Sequence, residues 1–413
     1  MAGIVKIWNS WQRNLICMWL SQLLVNTGFS AAFSFVPLYL GEAKFQLADT
    51  AARGYYTSRF YFFGMLAYAI FTPIWGALGD RWGVKLMLYR GSFVTALIYP
   101  LMGITSSVHW LIALRFMTGA LSGTTVAAQM LLVKTTPNDR QGYALGVLGT
   151  AIWGGTLIGD VLGGLVVYRF GYTATFMLCG ALFFLSGLFV VFARDSEKAV
   201  PAVTARKSGG KWANLRSVFI PAVVLMLTLF LLCGIAQRFY LPYTSLMVER
   251  HVDSTKTAAY WMGIIGAVAA ATGMISGVLM GWLSDKFPEW KLTTPMQFLS
   301  ALMLFSASGA ATLFGFAFCH SLNSFALGGL YSVFQKVISS LVDRTKRGTV
   351  LGCATTMYNV GYMLSTMISG WIVTRGGLTA VYRTAAALMV MLALASMVII
   401  RSARRKSSAA AAR

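Results

Sequence analysis

Apolar residues run along the chain in stretches of about 20, each broken by a short cluster of charged or turn-forming residues; a helix of that length crosses a hydrocarbon core. Twelve such stretches lie near 14–40, 55–78, 86–105, 110–133, 142–166, 173–193, 218–247, 258–283, 294–315, 320–342, 349–373 and 379–400. None alternates apolar and polar positions as a barrel strand does, so the pattern predicts helices. The expected fold is all-α and integral to a membrane, with twelve transmembrane helices. Residues 1–13 carry Trp8 and Trp11 beside Lys6 and Arg13 and read as an interfacial lead-in, not a cleaved signal, since no small-residue cleavage site follows.

Composition narrows the class. Of 413 residues, 57% are hydrophobic and 11% charged, whereas soluble chains carry about 25% charged residues. Soluble domains, disorder and disulfide scaffolds are excluded. The five cysteines stand singly in apolar stretches without metal or redox spacing, so no metal and no cofactor are expected.

The net charge of +22 suggests nucleic acid only until the basic residues are placed. With the N-terminus inside, 23 of the 34 lysines and arginines fall in inner segments and 7 in outer loops, while Arg59, Arg115, Arg238 and Lys336 lie within spans. That bias predicts two cytoplasmic termini and inner loops that meet anionic lipid; no nucleic-acid partner is needed.

The longest polar stretch, 194–217, reads as a cytoplasmic linker between bundles at 1–193 and 218–400, with a basic, low-complexity tail at 401–413. The two halves repeat. Asp80 and Asp285 are 205 residues apart, as are Pro37 and Pro242; the Asp139-Arg140 and Asp343-Arg344 pairs are offset by 204, and Gly142 and Gly146 precede Gly348 and Gly352 by 206. The pattern predicts a duplicated six-helix unit with parallel halves, the plan of a two-bundle transporter.

Three segments carry a family resemblance. Residues 76–85 (Gly-Ala-Leu-Gly-Asp-Arg-Trp-Gly-Val-Lys) are similar to the loop signature Gly-x-Leu-x-Asp-Arg-x-Gly-Arg-Lys of the major facilitator superfamily, with Val84 at the second arginine. Arg115 followed by Gly119 resembles the Arg-x-x-x-Gly signature of its proton antiporters, and residues 155–164 resemble their helix-five signature Gly-x-x-x-Gly-Pro-x-x-Gly-Gly, with Asp160 in place of the proline. The chain as a whole looks most like bacterial twelve-helix drug:proton antiporters. The resemblance implies a multi-pass protein of the bacterial inner membrane and a cytoplasmic latch built from Gly76, Asp80, Arg81, Gly83 and Lys85, with Asp80 near Gly348 and Thr349. It also implies an outer seal at Gly155, Gly159, Gly163 and Gly164. The four-residue spacing of Gly155, Gly159 and Gly163 independently predicts a close-packing helix face.

Asp160 is the most informative residue. A carboxylate inside an apolar span costs at least about 2.5–3.5 kcal/mol, so it is protonated, paired or hydrated. Span directions put Asp160 and Arg115 both in outer helix halves, where they can pair; Arg59 is a second candidate partner. Two roles stay open: a proton-coupling pair in which Arg115 tunes the titration of Asp160, or a permanent ion pair. Lys336 reads as a snorkelling residue. Arg238 lies deeper and with Arg115 makes an electropositive cavity that suits anionic or zwitterionic substrates. Further substrate-binding candidates are Asn26, Ser30, Ser122, Gln129, Gln237, Tyr331, Tyr358 and Asn359.

No phosphate loop, His-Glu-x-x-His helix or Gly-x-Ser-x-Gly elbow is present, so an enzyme is not expected. The reading is a monomeric secondary transporter that exports drugs or other small amphiphiles in exchange for protons. The alternative is an exporter of one anionic metabolite, such as a siderophore or organic acid; a non-transporting receptor on the same scaffold would bind without flux.

Overall fold

Every regular element among the described residues is helical. The computed structural model describes residues 10–137, 140–193, 220–342 and 347–411, the side chains at 10, 77, 80, 348, 349 and 403–411 excepted. The linker at 194–217, residues 1–9 of the lead-in, Asp139, Asp343, Arg344 and most of the tail's side chains therefore lie outside the described residues.

In chain order the helices are α1 (Ser10–Phe33), α2 (Val36–Tyr39), α3 (Thr50–Trp82), α4 (Val84–Ile104), α5 (Val108–Leu121), α6 (Thr124–Thr135) and α7 (Gln141–Phe192). After the linker come α8 (Pro221–Arg238), α9 (Thr244–Glu249), α10 (Thr255–Lys286), α11 (Glu289–Ser308), α12 (Leu313–Gly328), α13 (Leu330–Ser340) and α14 (Arg347–Ala411). Among the described residues, eight stretches are long and apolar enough to cross a membrane. Two of them, in α7 and α14, run to 52 and 53 residues. Each is divided by a glycine in the left-handed half of backbone space, Gly171 (φ 82°) and Gly377 (φ 67°), where a side chain would be strained. α3 and α11 are also of spanning length, at 33 and 20 residues. The pattern is consistent with the twelve spans expected.

Within a bilayer, a break in a helix leaves carbonyls that other protein groups must satisfy. Gly123 (φ 87°) separates α5 from α6. At that break Trp75 Nε1 donates to the carbonyl of Ala120 at 2.6 Å, and Arg90 Nη2 donates to that of Ser122 at 2.9 Å. The Arg90 guanidinium stacks 3.4 Å from the centre of the Trp75 ring, which holds both donors in place.

The chain forms two compact units. The first holds the described residues of Met1–Gln46, Phe63–Lys207 and Thr255–Ala267; the second holds those of Leu47–Phe62, Ser208–Ser254 and Val268–Arg413. In the second unit α8 and α14 make backbone-close contact: a Cβ added at Gly361 would meet the carbonyl of Leu231, and one at Gly234 that of Tyr358.

Candidate functional site

The glycines of α7 lie on α1. A Cβ at Gly155 would stand 2.7 Å from the Leu23 carbonyl oxygen, and Cβ atoms at Gly159 and Gly163 would run into the carbonyls of Thr27 and Ala31. The three carbonyls have the same four-residue rise as the glycines, so the two backbones touch over two turns. Gly164 packs elsewhere, on α10, where a Cβ would stand 2.8 Å from the Ala259 carbonyl and 3.1 Å from the Gly263 Cα.

Asp160 sits between these two contacts and is 6% exposed. Its Oδ1 accepts hydrogen bonds from Ser30 Oγ at 2.5 Å and Ser34 Oγ at 2.6 Å. Its Oδ2 faces the bare Cα of Gly266 on α10, 2.7 Å from the place of a Cβ.

Arg115 is equally buried and leans on the adjoining rows of α1. Its guanidinium carbon lies 4.6 Å from the centre of the Phe33 ring and 5.8 Å from that of Phe29, and Nη1 donates to Thr118 Oγ1 at 3.3 Å. The Gly64 Cα lies against the same guanidinium. Arg115 thus faces Phe29 and Phe33, and Asp160 faces Ser30 and Ser34. The ion pair entertained from span directions is not formed. Serine hydroxyls supply the carboxylate's hydrogen bonds, while an aromatic ring and a glycine accommodate the guanidinium. Arg59, the second candidate partner, is exposed with its guanidinium 4.2 Å from the Tyr55 ring.

Of the residues expected in a latch, Gly83 (φ 94°) makes the turn into α4, Arg81 is exposed, and the side chain of Asp80 lies outside the described residues. Lys85 Nζ donates to the carbonyls of Val191 and Ala193 at 2.9 and 2.6 Å, and so caps the C-terminus of α7. Gly76 borders open space. At the equivalent position of the second half, Asp285 pairs with Lys336 at 2.6 Å, and Lys336 also donates to the Ser284 carbonyl.

Among the substrate-binding candidates, the structure brings Gln237, Arg238, Tyr331 and Tyr358 into one cluster in the second unit. Asn26 instead bonds to the Gln22 carbonyl of its own helix, and Ser30 serves Asp160. The Ser122 carbonyl receives Arg90 and Gln129 is exposed, and among the described residues no hydrogen bond joins Asn359 to the cluster.

The sequence matches a family model described as Major Facilitator Superfamily over residues 18–319 and 280–413. The chain belongs to the Major Facilitator Superfamily. As a superfamily member it is a membrane transporter and not an enzyme. It is 27% identical over 389 residues to the multidrug resistance protein MdtG of Dickeya zeae, covering 94% of each chain. It is 29% identical over 287 residues to a multi-drug resistance efflux pump PmrA homolog of Lactococcus lactis, covering 68% of this chain and 69% of that one. A solved D-xylose-proton symporter shares the fold at a TM-score of 0.75 and 17% identity, covering 94% of this chain and 97% of that one.

Sequence reasoning missed Ser34, Gly263 and Gly266. Ser30 and Ser34 are four residues apart and share a helix face, a pattern that marks a pair of donors once a buried acceptor is known. Gly263 and Gly266 carry the spacing of a small-residue face, but nothing in their own helix points to Asp160 as the group they admit.

Proposed function

We propose that this transporter exports drugs or other small amphiphiles across the bacterial inner membrane, in exchange for protons and by alternating access. Both termini are cytoplasmic in this reading, and the protein acts as a monomer. The names of its relatives as multidrug efflux proteins support the substrate class. The carboxyl group of Asp160 supports the coupling.

The argument is electrostatic. Among the described residues, Asp160 has hydroxyl partners and no cation partner. Two hydrogen bonds do not offset the cost of a bare charge at membrane depth, so the closed junction favours the neutral acid. The division into bundles at 1–193 and 218–400 assigns α7 and α10 to different bundles. Rocking that parts them brings water to the carboxyl group, and re-closure requires a proton on it. Protonation from outside then licenses the return of the empty carrier, and substrate binding from the inner side releases that proton to the cytoplasm.

The test is flux of a lipophilic dye in proteoliposomes under an imposed pH gradient. Asp160→Asn, which mimics the neutral acid, is expected to bind dye but to lose gradient-driven accumulation. Undiminished coupled transport by that variant would overturn the reading.

A further inference from the structure

Arg238 closes α8 with its guanidinium among tyrosines. Its Nε donates to the Tyr358 hydroxyl at 3.0 Å, and that hydroxyl donates to Gln237 Oε1 at 3.1 Å. Gln237 Oε1 accepts from the relay, and Nε2 is the unpartnered end of the amide. Gln237 is 7% exposed, and its Nε2 has no hydrogen-bond partner. The two Nη groups of Arg238 likewise have none among the described residues.

The unpartnered nitrogens of the Arg238–Gln237 pair are all donors, and part of that donor capacity is cationic. A donor-only set of this kind matches an oxyanion, which accepts at several lone pairs and neutralises the guanidinium. Among the described residues the second unit supplies no such anion: the ion pairs there are Arg53–Glu249 and Lys336–Asp285, and no carboxylate pairs with Arg238. Ring faces lie beside the charge. The guanidinium carbon is 5.4 Å from the centre of the Tyr362 ring, Tyr331 meets Tyr358 edge-on at 5.0 Å, and Phe230 stands 5.5 Å behind Tyr331.

We propose that this cluster binds the anionic head of an amphiphilic substrate, a carboxylate or sulfonate carried on an aromatic body. The head lies on Arg238 and Gln237, and the ring packs against Tyr331 and Tyr358. The proposal deepens the exporter reading, on which it rests, by naming the charge of the preferred substrate.

Equilibrium dialysis of the purified full-length protein against 1-naphthoate and the uncharged 1-naphthamide tests it, since the two share a ring system and differ in charge. The wild-type protein is expected to favour naphthoate by about tenfold or more. Arg238→Gln brings the two affinities together by weakening naphthoate. Arg238→Lys, which keeps the charge without the planar fork, retains part of the preference, and Gln237→Leu weakens naphthoate several-fold. Equal wild-type affinities, or a preference that survives Arg238→Gln, would overturn the site. Vesicle flux of naphthoate decides the exporter reading separately: naphthoate that binds in an Arg238-dependent way but is never moved supports the site and contradicts the pump.

Discussion

Asp160 and Gly266 lie face to face across the junction of α7 and α10, with the carboxylate Oδ2 only 2.7 Å from where a methyl group on Gly266 would begin. Gly266→Ala therefore forces either the carboxyl group off its serines or the two helices apart. Overpacking of this kind costs about 1–3 kcal/mol. A lowered melting temperature and impaired dye export are expected; adding Asp160→Ser, which removes the opposing carboxyl group, partly restores the melting temperature but not the export. A Gly266→Ala variant that matches the wild type in both assays would show that the junction is looser than described.

The internal repeat extends to individual packing contacts. Gly164 packs on Gly263 in the first unit, and Gly370 packs on Ser58 in the second. The members of these pairs are 206 and 205 residues apart, the offsets seen in the loop signatures. Two copies of one crossing predict the same tolerance: Ser58→Gly costs only the ~0.5–1 kcal/mol of a glycine inside a helix, whereas Gly164→Leu and Gly370→Leu both disrupt folding or transport. Expression and thermal unfolding of the three variants check this, and a tolerated leucine at either glycine would break the equivalence.

Arg53 and Glu249 form a charged clasp in the second unit. Arg53 Nη1 lies 2.9 Å from both carboxylate oxygens, with side chains 10% and 19% exposed. Glu249→Gln leaves a largely buried guanidinium short of its anion and is expected to lower stability by about 1–3 kcal/mol. A double-mutant cycle with Arg53→Gln isolates the pair's own contribution, and additive single effects would mean that the clasp contributes nothing.

Lys85 serves the end of α7 through two carbonyls. Cations at helix C-termini stabilise by about 0.3–1 kcal/mol when exposed and up to about 2 kcal/mol in partly buried geometry. Lys85→Met should fall in that range by thermal unfolding, with Lys85→Arg close to wild type. If Lys85→Met impairs transport far more than stability, the residue has a role in the transport cycle beyond capping.

The fold was legible because a bilayer leaves so few options. Apolar stretches must become helices, and two copies of one unit reveal themselves in the spacing of Asp80 and Asp285. Asp160 was legible for the same reason, since a carboxyl group in an apolar span demands an explanation. Its partners were not. Span direction sets depth but not the rotation of a helix about its axis, and rotation decides whether Asp160 meets Arg115 or the serines. Arg90 was hidden differently: near the start of its span it reads as an inner-side charge, whereas it satisfies a carbonyl at the Gly123 break. The Gln237–Arg238–Tyr358 relay joins residues 120 positions apart and becomes visible only when α8 and α14 are packed.

Proton exchange at Asp160 is open to direct observation. Purified protein in weakly buffered detergent solution, monitored with a pH-sensitive dye, should release protons when substrate is added, and Asp160→Asn should bind the same substrate without release. Equal release from the two proteins would place the coupling proton on another group and contradict the account.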